Sequence, residues 1–248
     1  MLHDVVIVLG LFAWLGKPID AVFLAAALLA IPALALAFRS VAFPVAPELR
    51  HDQPRALPRI YWLYWAALLL FVAIEFSIVF WSTDYLESVR ELPRARAVAA
   101  ASAFLIGITL GRVAGGWLSR RVAAPRLLGG ALVVAACGFA AFWLVPDARI
   151  AVPGLAVSGT GVALLYPLTL ALAIRAADGR TDAASARAAF ATGSAIACAP
   201  FALGAAADAF GLRAAFGLVA VLIAGGSVIF AAAVRGERRA RRDGSPYY

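Results

Sequence analysis

Seven runs in this sequence constrain the fold more than any other feature, because each has the length and composition of a membrane-crossing helix. They are Ala21–Phe38, Ile60–Trp81, Val98–Trp117, Leu127–Val145, Ile150–Ile174, Ala188–Ala207 and Ala214–Val234. An α-helix rises ~1.5 Å per residue, so ~20 apolar residues cross a ~30 Å hydrocarbon core. An eighth run, Val5–Gly16, is too short and reads as the tail of a longer helix. The runs are rich in Ala, Leu and Val and lack a charged stripe, which excludes helices lying flat on a membrane surface. Composition agrees: hydrophobic residues are 64% and charged residues 15% of 248, leaving too little polar surface for a water-soluble domain. The expected fold class is therefore all-α, a polytopic transmembrane bundle.

The net charge of +8 would suggest nucleic acid in a soluble protein. Here the basic residues punctuate apolar runs, so they report topology and contact with the lipid bilayer, and no nucleic-acid partner is expected. One side collects 16 of the 22 basic residues, in the segments Arg39–Arg59, Arg112–Arg126, Arg175–Arg187 and Arg235–Arg242; the other side holds Lys17, Arg90, Arg94, Arg96, Arg149 and Arg213. The excess alternates loop by loop. It predicts a multi-pass protein of the cell (cytoplasmic, or inner) membrane with a cytoplasmic C-terminus. No segment has the basic start and small-residue cleavage site of a signal peptide.

The longest polar stretch, with Pro44, Pro47, Pro54 and Pro58, lies between Ala21–Phe38 and Ile60–Trp81. It divides the chain into residues 1–38, a remnant of one helical bundle, a cytoplasmic linker over 39–59, a six-helix bundle over 60–235 and a basic cytoplasmic tail over 236–248. A faint echo between Ala21–Arg39 and Ala214–Arg235 suggests a duplicated design.

Little points to enzyme chemistry. Cys137 and Cys198 each sit inside an apolar run, and His3 and His51 lie outside the spans without metal-ligand spacing. No cofactor or metal is expected. An intramembrane serine protease needs a base beside its serine, and no histidine lies in a span. Paired intramembrane aspartates are absent too.

The segment Gly111-Arg112-Val113-Ala114-Gly115-Gly116-Trp117-Leu118-Ser119-Arg120-Arg121 resembles the cytoplasmic loop signature in the C-terminal half of major facilitator superfamily transporters. Its glycines allow two helices to approach closely, and its arginines sit at the interface. Ser119 stands where many members have Asp, and no glycine follows Arg121. Two further segments are similar to the same family. Gly159-Thr160-Gly161 with Leu165-Tyr166-Pro167-Leu168 looks like the tenth helix. Gly193, Pro200, Gly204 and Asp208–Phe216 look like the eleventh helix and its turn into the twelfth. The resemblance implies helices six to twelve, with the possible end of helix five.

It also implies a secondary active transporter, working by alternating access with an N-terminal half as partner. An apolar, aromatic lining slightly favours efflux of a small lipophilic or weakly polar substrate, coupled to protons. A non-transporting or truncated subunit or scaffold is the alternative.

Ionisable groups inside a span are costly and usually face a cavity or a partner. Glu75 lies about 15 residues into its run, ~22 Å from the cytoplasmic end. Tyr64, Leu68, Phe71 and Ser82 share its face. Such a carboxyl could couple protons or bind a cation; equally, it could reach the outer interface or serve helix packing. Arg112 either gates or snorkels. Tyr166 shares a face with Ser158 and Thr169, a polar stripe for substrate or for a neighbouring helix. Thr192 and Ser194 are weaker candidates. Pro167 and Pro200 each remove a backbone hydrogen bond and are expected to kink their helices. Asp84 and Asp208, at outer helix ends, read as solvated caps.

Overall fold

The computed structural model describes residues 56–242. The chain divides into two compact units, Met1–Arg55 and Ala56–Tyr248, and every described residue belongs to the second. The runs Val5–Gly16 and Ala21–Phe38, and most of the linker, lie outside the described residues.

Six helices among the described residues are long and apolar enough to cross a membrane. They are α1 (Arg59–Ser88), α2 (Arg94–Leu118), α3 (Ala124–Leu144), α4 (Ala148–Arg175), α5 (Thr181–Phe210) and α7 (Gly217–Arg242), with a four-residue helix, α6 (Leu212–Ala215), before the last. All outrun their apolar cores at one end or both. A backbone leaving hydrocarbon keeps its N–H and C=O groups satisfied by staying helical into the headgroups, so hydropathy underestimates the helix. The 30 residues of α1 span ~45 Å, enough for the core and both headgroup layers. Prolines mark the starts: Pro58 and Pro93 precede α1 and α2, and Pro125 occupies the first turn of α3. The last helix likewise continues to Arg242, so the first turns of the basic tail belong to the bundle. There Glu237 is buried and paired with Arg175 of α4 at 3.3 Å.

The helices associate in two groups. In the first, α4 is flanked by α2 and α3 at backbone distance. A Cβ on Gly107 or Gly111 of α2 would run into the α4 main chain at Ala156 or Thr160, and one on Gly159 would strike the carbonyl of Phe104. On the other flank, Gly138 of α3 touches the main chain at Ser158, and Gly161 of α4 touches that of Ala135. Small residues at intervals of four on α2 (107, 111, 115) form one smooth edge.

The second group, α1 with α5 and α7, is held differently. Tyr61 Oη donates to the carbonyl of Ala184 at 2.9 Å, Trp65 Nε1 to that of Arg187 at 2.8 Å, and Trp81 Nε1 to that of Pro200 at 2.9 Å. An aromatic cluster of Tyr85, Phe139, Phe142 and Phe216 joins α1, α3 and the start of α7. Arg90 closes that end, donating to the carbonyls of Phe142 and Trp143.

Gly130 of α3 faces open space, whereas Gly161 is enclosed. Gly161→Ala should therefore lower the thermal unfolding temperature of the detergent-solubilised chain, by about 1–3 kcal/mol of overpacking. Gly130→Ala should leave it unchanged or raise it through helix propensity. Equal effects at both positions would refute the close approach.

Candidate functional site

Because α1 runs seven residues beyond Trp81, Glu75 lies close to the middle of its helix, ~24 Å from Arg59. Its side chain is half-buried. Arg112 of α2 is exposed, ~9 Å from the end of its helix at Leu118. From the end that α1 and α2 share, Glu75 stands ~20 Å deep and Arg112 ~27 Å, a difference that a guanidinium stem largely spans. The two make no direct ion pair. Across a low-dielectric surrounding the field of a charge is weakly screened.

The other residues of the expected path divide by burial. Tyr64 and Phe71 are enclosed in the bundle, with 0% and 1% of their surface exposed. A solute in an open cavity would reach them only if helices part. Ser158 and Thr169 are equally enclosed, and their hydroxyls have no hydrogen-bond partner among the described residues. Tyr166 is half-exposed and packs beside Val72, Ala73 and Ala195. Pro167 and Pro200 both lie inside uninterrupted helices.

In the loop signature, Gly111 and Gly115 turn towards α4, while Gly116 has nothing within 4 Å. Ser119 caps α2, its hydroxyl donating to the carbonyl of Gly116 at 3.0 Å. Arg121 lies over the Trp117 ring at 4.2 Å, and Arg120 is exposed. The arginines therefore stand at the bilayer edge, where a guanidinium over an indole is stable.

Comparison with known proteins bears on this arrangement. The sequence model for the major facilitator superfamily matches residues 5–197. The chain belongs to that superfamily. Among superfamily members of solved structure, the transporter FucP, crystallised in its outward conformation, aligns with a TM-score of 0.70 at 16% identity. The alignment covers 86% of this chain and 53% of FucP. The peptide transporter POT, crystallised with sulfate, aligns with a TM-score of 0.57 at 21% identity, over 70% of this chain and 36% of its own. The chain thus spans about half or less of each structure. No curated protein matches it.

In the sequence Glu75 and Arg112 stand as separate candidates, and helical rise places them at comparable depths in two consecutive spans of this superfamily member. The sequence alone does not single out Glu237, buried within a basic segment that reads as a solvated tail.

If the two charges interact, Glu75→Gln and Arg112→Gln should be non-additive. The double variant in nanodiscs should be more stable than the sum of the single effects by about 0.5 kcal/mol or more, read by thermal unfolding. Additivity within ~0.3 kcal/mol would remove the coupling.

Proposed function

We propose that this chain is the C-terminal half of a secondary active transporter that moves a small lipophilic or weakly polar solute, in the efflux direction, coupled to protons. The observation that carries this reading is the six-helix bundle with a half-buried carboxyl, Glu75, near the middle of one span. A carboxyl in a span is expensive unless it exchanges its charge or faces a partner. Glu75 is half-buried in its span, where a carboxyl can take up and release a proton. Proton binding and release at one such group, coupled to rocking of the bundle, is the minimum that gradient-driven transport requires.

A pathway with two walls needs a second bundle, so the proposed partner is an N-terminal half of the same family. Charged side chains are few within the spans, which supports a solute with little charge. The basic residues favour the cytoplasmic membrane with the C-terminus inside.

Glu75→Gln in the protein carrying both halves should abolish gradient-driven transport of a fluorescent lipophilic substrate while leaving membrane levels normal. Unchanged transport at several pH values would eliminate Glu75 as the coupling group. For orientation, Arg239 is exposed near the end of α7. A cysteine replacing it, in a background lacking Cys137 and Cys198, should resist a membrane-impermeant maleimide in intact cells and react after lysis. Ready labelling of intact cells would invert the topology.

A further inference from the structure

Two cavities at one end of the bundle meet at a single side chain, Arg126. The first is a slot. Although α2 and α3 are consecutive in the chain, they barely touch one another, because glycine contacts draw each of them onto α4. Between them lies a space of about 370 Å³, walled by Ala114 of α2 and by Gly130 and Val134 of α3, with Thr160 and Leu164 of α4 beneath. The Thr160 hydroxyl is already bonded to the Ala156 carbonyl at 3.0 Å, so Arg126 is the only charged group in an otherwise apolar lining.

The slot has a direction. Residues 126, 130 and 134 of α3 follow one another at intervals of four, on one helix face. They carry it ~12 Å along α3 from the arginine end, against ~15 Å for one leaflet of a ~30 Å hydrocarbon core. Gly130 meets no atom within 4 Å. Glycine inside a helix costs about 1 kcal/mol relative to alanine. Elsewhere on α3 and α4 that cost accompanies a helix contact, as at Gly138 and Gly161, whereas at Gly130 the missing side chain leaves the slot open.

The second cavity, also about 370 Å³, lies where the start of α3 meets the ends of α4 and α7. Arg126, Arg175 and Arg238 line it against one carboxylate, Glu237. That carboxylate is committed elsewhere: it is buried, and both its oxygens face Nη2 of Arg175, at 3.4 and 3.3 Å. Among the described residues neither Arg126 nor Arg238 has an ion-pair or hydrogen-bond partner for its guanidinium. Both are exposed, so an anion reaches them without displacing a protein contact. The first turn of α3 holds no acidic residue, and the positive end of its helix dipole adds to their field.

We propose that the two cavities together hold one anionic phospholipid, with its phosphate between Arg126 and Arg238 and one acyl chain in the slot over α4. A free phosphate would leave the slot without a chain. A zwitterionic lipid would bring a cation of its own to the arginines. The site is independent of the transport reading, since a lipid held here needs no second bundle.

The test is native mass spectrometry of the full 248-residue chain in detergent, titrated with phosphatidylglycerol or with phosphatidylcholine of the same acyl chains. The first lipid bound should be phosphatidylglycerol, preferred roughly tenfold. Arg126→Gln should weaken it about fivefold and leave phosphatidylcholine unchanged. Gly130→Leu, which fills the slot without altering charge, should weaken both lipids. If leucine lowers the thermal transition, Gly130→Ala supplies the same reading with a smaller loss. Arg235→Gln with Arg239→Gln, at exposed arginines outside both cavities, should leave the first lipid in place. Equal binding of phosphatidylcholine would overturn the proposal. So would an equal loss in the Arg235 and Arg239 variant, which would mean diffuse attraction to a basic surface. Wild-type binding by a folded Gly130 variant would remove the chain from the slot, and displacement of the lipid by glycerol phosphate would make this a free-phosphate site.

Discussion

The bundle depends on backbone-to-backbone contact between α4 and its two neighbours. In lipid, apolar side chains gain nothing by leaving one hydrocarbon for another, so helices associate through van der Waals fit and hydrogen bonds. Gly107 and Gly111 on one flank, and Gly138 and Gly161 on the other, remove the side chains that would hold α4 away. Each crossing brings main-chain atoms together over several residues, where many weak dispersion contacts add up. Buried Ser158 lies along this rib, so helix packing and the expected polar stripe use the same few residues.

The α1–α5–α7 group has no equivalent ladder and is joined instead by tyrosine, tryptophan and phenylalanine side chains. The two modes differ mechanically. Glycine crossings fix distance tightly but tolerate no added atom, whereas rings and single hydrogen bonds permit repacking at modest cost.

Much of this was legible in the sequence. Hydropathy located all six described spans, since an uninterrupted apolar run of ~20 residues matches the thickness of a bilayer and little else. The order of glycine motifs pointed to the family. Helix ends were not legible: Thr83–Ser88 and Thr181–Arg187 are too polar to register as membrane segments, yet the backbone stays helical through them. Nor was the partner of each glycine, because Gly116 and Gly115 are neighbours in sequence and only one meets another helix. In helices this uniformly Ala-, Leu- and Val-rich, periodicity does not separate lipid-facing from core positions. Tyr64 and Phe71 could therefore be placed on Glu75's face without revealing that they are enclosed.

The bonds that fasten α1 to α5 share one property. Tyr61, Trp65 and Trp81 all donate to main-chain carbonyls, of Ala184, Arg187 and Pro200. A carbonyl is present whatever side chain the residue carries. The receiving helix can therefore exchange residues at those positions without losing the bond, and only the donors are chemically committed. As far as these bonds go, mutational tolerance is unequal across one interface, while packing still limits α5 at fully buried Ala184 and at Gly204 against Trp81. A saturation scan of the two helices would register this as an asymmetry of permitted substitutions, with the aromatic donors as its fixed points.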